Sequence, residues 1–219
     1  MPTQRIDADT KGYESMVATS RKPHGPGLAP IPDRPLPGTP RELFDSLPPL
    51  PGLRTEIIDG RLIVSPVGTP EHARAAMRLF RAFIPIMDER GWEGFSGNVD
   101  VCIDGSRDPL EPDFVIAPFD CPRWGERELL SSGLMLVAEV VSKGSAEDDR
   151  LKKPAIYAGG GVPVMLLVDP LTRPASVTVY SDPKEGQYQV TSTVPFGREI
   201  LVPHPIGCTL DTSVFEEVV

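Results

Sequence analysis

The sequence is poor in the features that mark secreted, membrane-spanning or cysteine-rich metal proteins. It contains three cysteines in 219 residues, an odd number with no Cys-x-x-Cys spacing. This argues against a disulfide framework and a cysteine zinc site, and favours a cytoplasmic chain with reduced thiols. No stretch approaches the roughly 18 uninterrupted apolar residues of a membrane span. The N-terminus also lacks the apolar core of a secretory signal.

The chain has no excess of positive charge. Its formal net charge is −9, from 22 Lys and Arg against 31 Asp and Glu, and residues 1–35 carry +1, which leaves −10 for the rest. Such a balance argues against a protein that coats nucleic acid without regard to its sequence. An enzyme with a local basic rim is still allowed, because net charge governs solubility and the far field.

Proline is concentrated near the N-terminus, where it fills ten of the 29 positions from 23 to 51. Proline cannot donate a backbone hydrogen bond, and this stretch has no hydrophobic period, so extended and solvated chain is expected there. We therefore predict a disordered or loosely docked tail over residues 1–38 and a folded domain over residues 39–219.

Two helices and a hairpin are predicted at the start of the folded part. The sequence Thr-Pro-Arg-Glu at residues 39–42 is a capping box that predicts a short helix to about residue 47. Residues 55–64 predict two strands around a central Asp-Gly turn. Thr69 opens a second helix, whose apolar residues recur at three- and four-residue spacing and in which Pro85 is a candidate kink.

Beyond residue 91 the sequence predicts a mixed sheet. A helix is expected around residues 147–158, ended by three consecutive glycines. The strands on either side of this helix are almost fully apolar, which is typical of a sheet covered on both faces. Hairpins before and after them make the fold class mixed, α/β or α+β. The strands are predicted at residues 98–103, 113–117, 134–141, 164–168, 176–180 and 187–191.

Two of the apolar strands each carry a carboxylate that does not suit a strand core. Glu139 interrupts the apolar run 134–141, and Asp113 begins the run 113–117. A buried ionised carboxylate costs several kcal/mol unless it is paired or bound to metal. If the two strands are neighbours, the acids can converge on one divalent cation such as Mg²⁺, which prefers oxygen ligands. Two close carboxylates also repel each other, so one pKa should rise.

Structural interpretations of the same residues remain open. Glu139 can face solvent or pair with Arg150, Lys152 or Lys153, and Asp113 can simply cap a turn.

Residues 148–154 supply a basic partner for the acids. A lysine there, close to a metal-bound water, can neutralise charge on a phosphate. Alternatively the segment is a solvated helix face on which Asp149 and Lys153 form an i,i+4 pair. Pro154 disfavours a helical Lys153, so the segment is either a kink or a helix start.

Several short motifs follow one another in a particular order. They lie at residues 56–60, 63–66, 72, 111–113, 137–142, 149–150, 153–154, 157, 161–163 and 166–170. In this order and spacing they resemble the Uma-two family of putative restriction endonucleases, within the PD-(D/E)XK nuclease superfamily. The resemblance covers about residues 39–215 and implies a restriction-endonuclease-like mixed sheet flanked by helices, with an N-terminal hairpin.

The resemblance also implies a set of site residues. It makes Asp113 and Glu139 the acids that bind Mg²⁺ or Mn²⁺, and Lys153 the catalytic lysine. Glu56 becomes an accessory acid from the first hairpin, and His72 lies on the helix beside the site. The alternative to a functional role for His72 is a structural one, in which the side chain is only hydrogen-bonded at the start of the helix.

One departure from the family pattern concerns the lysine. Val141 stands where the lysine of the superfamily's E-x-K motif is usual, and similar families supply that lysine from the following segment. Lys143 follows Ser142, where proteins of this family commonly have proline. Lys143 and Lys152 are therefore substitutes for Lys153.

Two functional hypotheses follow from the sequence. The first is a metal-dependent endonuclease that hydrolyses DNA phosphodiester bonds, and a homodimer would suit it because cutting both strands calls for two sites related by two-fold symmetry. The second is a non-catalytic nucleic-acid-binding or protein-interaction module on the same fold, which the charge of −10 motivates.

Overall fold

A six-stranded mixed sheet forms the centre of the structure, a computed structural model that describes residues 36–218. The tail predicted for residues 1–38 therefore lies almost entirely outside the described residues. The helices are α1 (Pro40–Ser46), α2 (Pro70–Arg90) and α3 (Lys153–Gly159), with a π-helical turn at Asp148–Lys152 and 3₁₀ turns at Ser131–Gly133 and Thr212–Val218. The strands are β1 (Leu53–Ile58), β2 (Arg61–Pro66), β3 (Trp92–Phe95), β4 (Val101–Cys102), β5 (Pro109–Leu110), β6 (Phe114–Pro118), β7 (Arg123–Trp124), β8 (Glu128–Leu130), β9 (Leu136–Val140), β10 (Val164–Asp169), β11 (Ser176–Lys184), β12 (Gln187–Pro195), β13 (Glu199–Val202) and β14 (Cys208–Asp211).

The central sheet has the order β12-β11-β10-β9-β6-β3. Only β9 and β10 run parallel, with the π turn and α3 as their crossover, and the other neighbours are antiparallel. The strands β5-β4-β8-β7 form a separate four-stranded sheet, and β1-β2 and β13-β14 form two-stranded sheets. The mixed class and the N-terminal hairpin predicted from the sequence are confirmed.

Both faces of the central sheet are covered, as the apolar strands predicted. Helix α2 places Ala75, Leu79, Phe83 and Met87 on one face at four-residue spacing. On the other face Tyr157 of α3 packs against Met165 and Leu167, in a cluster that also includes residues of the four-stranded sheet. None of the helices between residues 36 and 218 combines the length and the apolar composition that a membrane span requires.

The helix boundaries follow local signals in the sequence. Thr39 caps α1 in the predicted capping box, and the Thr69 side chain accepts a hydrogen bond at the start of α2. Helix α2 continues through Pro85 and ends at Gly91, whose φ of 66° is the left-handed conformation that glycine adopts without strain.

Two predicted elements differ from the structure. The strand predicted at 98–103 is restricted to β4, because the backbone is left-handed at Gly97 and Asn98 and cannot continue a strand there. The helix predicted at 147–158 is divided into the π turn and α3, since Pro154 lacks the N–H that a continuous α-helix would use. The short strands β3, β5, β7 and β8 carry too few residues to produce a period in the sequence.

Candidate functional site

Asp113 and Glu139 meet at one end of the central sheet. Strands β6 and β9 are antiparallel with Phe114 opposite Ala138, so Asp113 and Glu139 follow as the next opposed positions and share one face. The two residues are 2% and 1% exposed. The Val140 N–H donates a hydrogen bond of 2.8 Å to Oδ2 of Asp113, which ties the two strand ends together. The open possibilities of a solvent-facing Glu139 and a turn-capping Asp113 are therefore wrong.

Asp113 is surrounded by groups that favour its ionised form. Nη2 of Arg54 lies 2.6 Å from Oδ1, and Nε2 of His72 lies 3.0 Å from Oδ2. Burial alone would raise the pKa of Asp113, but the hydrogen bond from His72, the charge of Arg54 and the Val140 N–H outweigh it and hold the pKa below its usual range. The Arg54 contact is an ion pair without hydrogen-bond alignment, so Oδ1 remains a buried oxygen with no aligned donor.

The orientation of His72 is fixed by the backbone of β9. Its Nε2 lies 2.9 Å from the carbonyl oxygen of Val140 as well as close to Asp113. Both neighbours are acceptors, so we assign the ring proton to Nε2. Gly68 permits this placement, because a Cβ at that position would lie 2.4 Å from Nδ1 of His72.

Glu139 lies in a more acidic environment than Asp113. Its Oε1 accepts a hydrogen bond of 2.6 Å from the Tyr157 hydroxyl and lies 3.1 Å from Nζ of Lys153. Burial raises the pKa of Glu139 well above its usual range. The charge of Lys153 opposes this rise, and the charges of Asp113, Asp149 and Glu56 add to it.

Lys153 is the centre of the charge cluster. It is 2% exposed, and its Nζ lies 3.1 Å from Glu139, 3.1 Å from Asp149 and 3.2 Å from Glu56. Burial would lower the pKa of Lys153, but the charges of Glu139, Glu56 and Asp149 raise it well above its usual range. Lys153 is therefore a fixed positive charge, and its interpretation as part of a solvated helix face is wrong.

The π turn explains how a lysine next to a proline reaches the site. The turn spans Asp148–Lys152, and Lys153 begins α3 directly after it, one residue before Pro154. The wider turn keeps Asp149 and Lys153 on the same side, and such π turns are frequent at functional sites. Arg150 holds the turn from outside through bonds of 2.7 and 3.0 Å to the carboxylate of Asp169 at the end of β10.

The first hairpin supplies the remaining acid. Oε1 of Glu56 accepts a 3.1 Å hydrogen bond from the Glu111 N–H, which joins β1 to the segment that leads into Asp113. Glu111 in turn accepts a hydrogen bond from the Asn98 N–H and lies 3.7 Å from Nε of Arg54. The site is thus assembled from the β1-β2 hairpin, the start of α2, the ends of β6 and β9, and the π turn.

The structure brings all five residues predicted from the sequence to this place: Glu56, His72, Asp113, Glu139 and Lys153. The two substitute lysines lie outside it. Lys143 is exposed, and Lys152 pairs with Asp148. Arg150, another open partner for Glu139, is bound to Asp169 instead.

Sequence reasoning missed three residues of the site. Arg54 lies just before the hairpin motif, and nothing in its spacing marks it. Tyr157 and Asp149 belong to the motifs of the resemblance, but neither is assigned a role in the site by the sequence. The burial of Asp149, which raises the pKa of its carboxyl, follows from the π turn and has no signal in the sequence.

The cluster contains more acids than bases. Among residues 36–218, the cations Arg54 and Lys153 are shared by five acids: Glu56, Glu111, Asp113, Glu139 and Asp149. Among residues 36–218, no three His, Cys, Asp or Glu side chains are arranged to enclose a metal ion. The chemistry of the donors nevertheless fits a hard divalent cation, because Asp113 and Glu139 place carboxyl oxygens on one face at the ends of neighbouring strands and Oδ1 of Asp113 is a buried oxygen without an aligned donor.

The mixed sheet with helices on its faces is a restriction-endonuclease-like fold. Among solved structures, the chain matches the crystal structure of a putative nuclease belonging to DUF820 from Anabaena variabilis. The match has a TM-score of 0.63 and 20% identity, covers 84% of this chain and 100% of that chain, and shows the shared fold.

The family follows from the sequence match. The chain matches the Uma2 family, described as putative restriction endonucleases, over residues 41–213, and it belongs to that family. The resemblance drawn from the short motifs is therefore confirmed. No functionally curated protein matches the chain.

Proposed function

We propose that the protein is a metal-dependent endonuclease that hydrolyses phosphodiester bonds in DNA, acting in the cytoplasm. One observation carries the proposal: Asp113 and Glu139 converge at the end of two neighbouring strands, with the buried ammonium of Lys153 3.1 Å from Glu139. Membership in a family of restriction-endonuclease-like proteins supports the same reaction class.

Asp113 and Glu139 would hold the metal, Mg²⁺ or Mn²⁺. When bound, such an ion lowers the pKa of a water molecule and stabilises negative charge on a phosphate. Arg54 and His72 hold the Asp113 carboxylate in place and keep it ionised. A carboxylate that is already ionised and positioned does not have to lose a proton before it binds a cation.

Lys153 would act on the charge that develops on the scissile phosphate. Its three carboxylate contacts fix the ammonium in one place and keep it protonated across the physiological range. A charged donor that is held before the substrate arrives costs no reorganisation in the transition state. Glu56 and Asp149 would then position Lys153 without touching the DNA.

The test is cleavage of supercoiled plasmid with Mg²⁺, with Mn²⁺ and with EDTA. The parent should nick or linearise DNA only with metal, and Asp113→Asn and Glu139→Gln should abolish this. Lys153→Ala should lower kcat by about 10²–10³, the usual effect of losing one preorganised donor. Lys143→Ala and Lys152→Ala are the controls, because each removes one positive charge from outside the cluster and should cleave like the parent. If Lys143→Ala is inactive instead, Lys143 is the catalytic lysine.

Charge favours a second candidate, a non-catalytic nucleic-acid-binding or protein-interaction module. Residues 36–219 carry −10, and Lys153 is surrounded by carboxylates, whereas nucleases normally present basic surface to their substrate. Calorimetric titration with Mg²⁺ separates the two candidates. Binding that is lost in both Asp113→Asn and Glu139→Gln supports the nuclease, and a parent that neither binds metal nor cleaves DNA supports the module.

A further inference from the structure

The central sheet ends in a long strand with an open edge. β12 is the outermost of the six strands, and among the described residues its ladder partner is β11 alone. Its other side therefore presents a row of backbone N–H and C=O groups that a further strand can pair with. With nine residues, β12 is longer than the typical strand of about five or six.

The opposite edge of the same sheet is protected in two ways that β12 lacks. β3 has only four residues, and one of them is Glu93. Shortness and charge are common devices that prevent pairing between sheet edges. None of the nine side chains of β12 is charged, and its single proline, Pro195, stands at the end of the strand.

The exposed edge is also suited to strand pairing. Residues 189–193 are all exposed, and Val190 is 50% exposed. The strand is anchored on its inner side, where the Tyr188 hydroxyl donates to the Val162 carbonyl at 2.9 Å and the hydroxyls of Thr178 and Thr193 are 2.9 Å apart. β12 is rich in the β-branched residues Val and Thr, which favour extended backbone. The strand therefore needs little change of conformation when a partner strand docks.

We propose that β12 pairs antiparallel with β12 of a second copy of this chain, so that the two central sheets become continuous across a two-fold axis. An uncharged antiparallel strand is complementary to itself under such an axis. Each copy carries −10 over residues 36–219, and an uncharged strand lets two copies meet without bringing like charges face to face. This pairing goes beyond the proposed nuclease function and does not depend on it.

The proline-rich part of the N-terminal tail is a less suitable occupant of the same edge. Six of the 16 residues from 23 to 38 are proline, which cannot donate to a β ladder. A tail that covered β12 in its own chain would leave the protein monomeric, so the oligomeric state distinguishes the two occupants.

The experiment uses full-length protein in sedimentation velocity over a concentration series. Two double variants are compared. The Lys variant (Val190→Lys with Ser192→Lys) places two positive charges on the β12 edge of each copy, and the Glu variant (Val190→Glu with Ser192→Glu) places two negative charges there. Like charges across paired strands repel, so each variant alone should raise the dimer dissociation constant by about tenfold or more. Mixing the Lys and Glu variants should restore dimerisation, because opposite charges then face each other.

The matched control is Val190→Thr with Ser192→Thr, which keeps the edge uncharged and β-branched and should dimerise like the parent. Recovery in the mixture also demonstrates that the charged variants are folded. A parent that is monomeric at every concentration would overturn the proposal, as would a Lys variant that dimerises as tightly as the parent.

Discussion

At the scale of single residues, Asp113 and Glu139 are neighbours whose protonation differs. Asp113 is held by a guanidinium, an imidazole and a backbone N–H, and its pKa is lowered. Glu139 has one cation, Lys153, which it shares with two other carboxylates, and its pKa is raised. Burial is the main cause of the raised pKa of Glu139, and the charge of Asp113 adds to it.

Asp113→Asn should destabilise the metal-free protein at neutral pH. Because the folded-state pKa of Asp113 is lowered, its charge stabilises the fold above the unfolded-state pKa, and this contribution is lost as the pH falls through the folded-state value. The substitution should lower the free energy of unfolding by about 1–3 kcal/mol at pH 7. Urea unfolding at pH 7 and at pH 3 checks this, and an equal effect at both values would contradict it.

Glu139→Gln should have the opposite effect. The folded protein holds the Glu139 proton more tightly than the unfolded chain, so stability falls as the pH rises from the unfolded-state pKa through the raised folded-state value. Glutamine cannot ionise, although it keeps an oxygen for the Tyr157 hydroxyl. In EDTA, melting temperatures from pH 4 to pH 9 should therefore decline less in the variant, and two parallel profiles would refute the expectation.

Removal of the central cation should be costly. Lys153→Met fills a similar volume but leaves Glu56, Glu139 and Asp149 without their shared partner. Loss of one member of a buried ion pair typically costs about 3–5 kcal/mol, and acid pH should recover part of this as the carboxyls protonate. Denaturant unfolding at pH 8 and pH 5 measures both effects. Lys143→Met, at an exposed position, is the control and should unfold like the parent.

At the scale of elements, the site depends on how closely the loop before α2 approaches His72. In Gly68→Ala the new Cβ would lie 2.4 Å from Nδ1, so the imidazole must move away from Asp113 and the Val140 carbonyl. We expect the cleavage rate and the pH profile of Gly68→Ala to match those of His72→Ala. Gly144→Ala is the control, because its Cβ would meet only the Ser142 hydroxyl at 4.0 Å. Parent-like cleavage by Gly68→Ala would mean that the imidazole position is unimportant.

The sequence predicted those elements that have a strong local cause. The capping threonines, the Asp-Gly turn and the apolar period of α2 all lie within one element, and each was confirmed. The pair Asp113 and Glu139 was predicted because each is a carboxylate in an otherwise apolar strand. Arg54 and the π turn were missed, because a contact across the fold and one extra residue in a helical turn leave no periodic signal.

At the scale of the whole molecule, the proline-rich segment offers almost no periodic apolar surface to bury. Deletion of residues 1–35 should therefore change the melting temperature by no more than about 2–4 °C, the shift that 1 kcal/mol gives in a domain of this size. Differential scanning calorimetry of the full chain and the truncated chain measures this. A much larger loss would mean that the segment packs on the folded domain.

The antiparallel pairing of β6 with β9 also determines where this chain can change in length. Residues 119–135 connect the two strands and include β7, β8 and a 3₁₀ turn. Insertions or deletions there leave Phe114 opposite Ala138, so Asp113 and Glu139 stay aligned. A single residue inserted between Asp113 and Pro118 would instead turn one carboxylate to the opposite face of the sheet. Length variation can therefore remodel the surface of the connecting segment without moving the two acids, whereas the strands that carry them must keep their length.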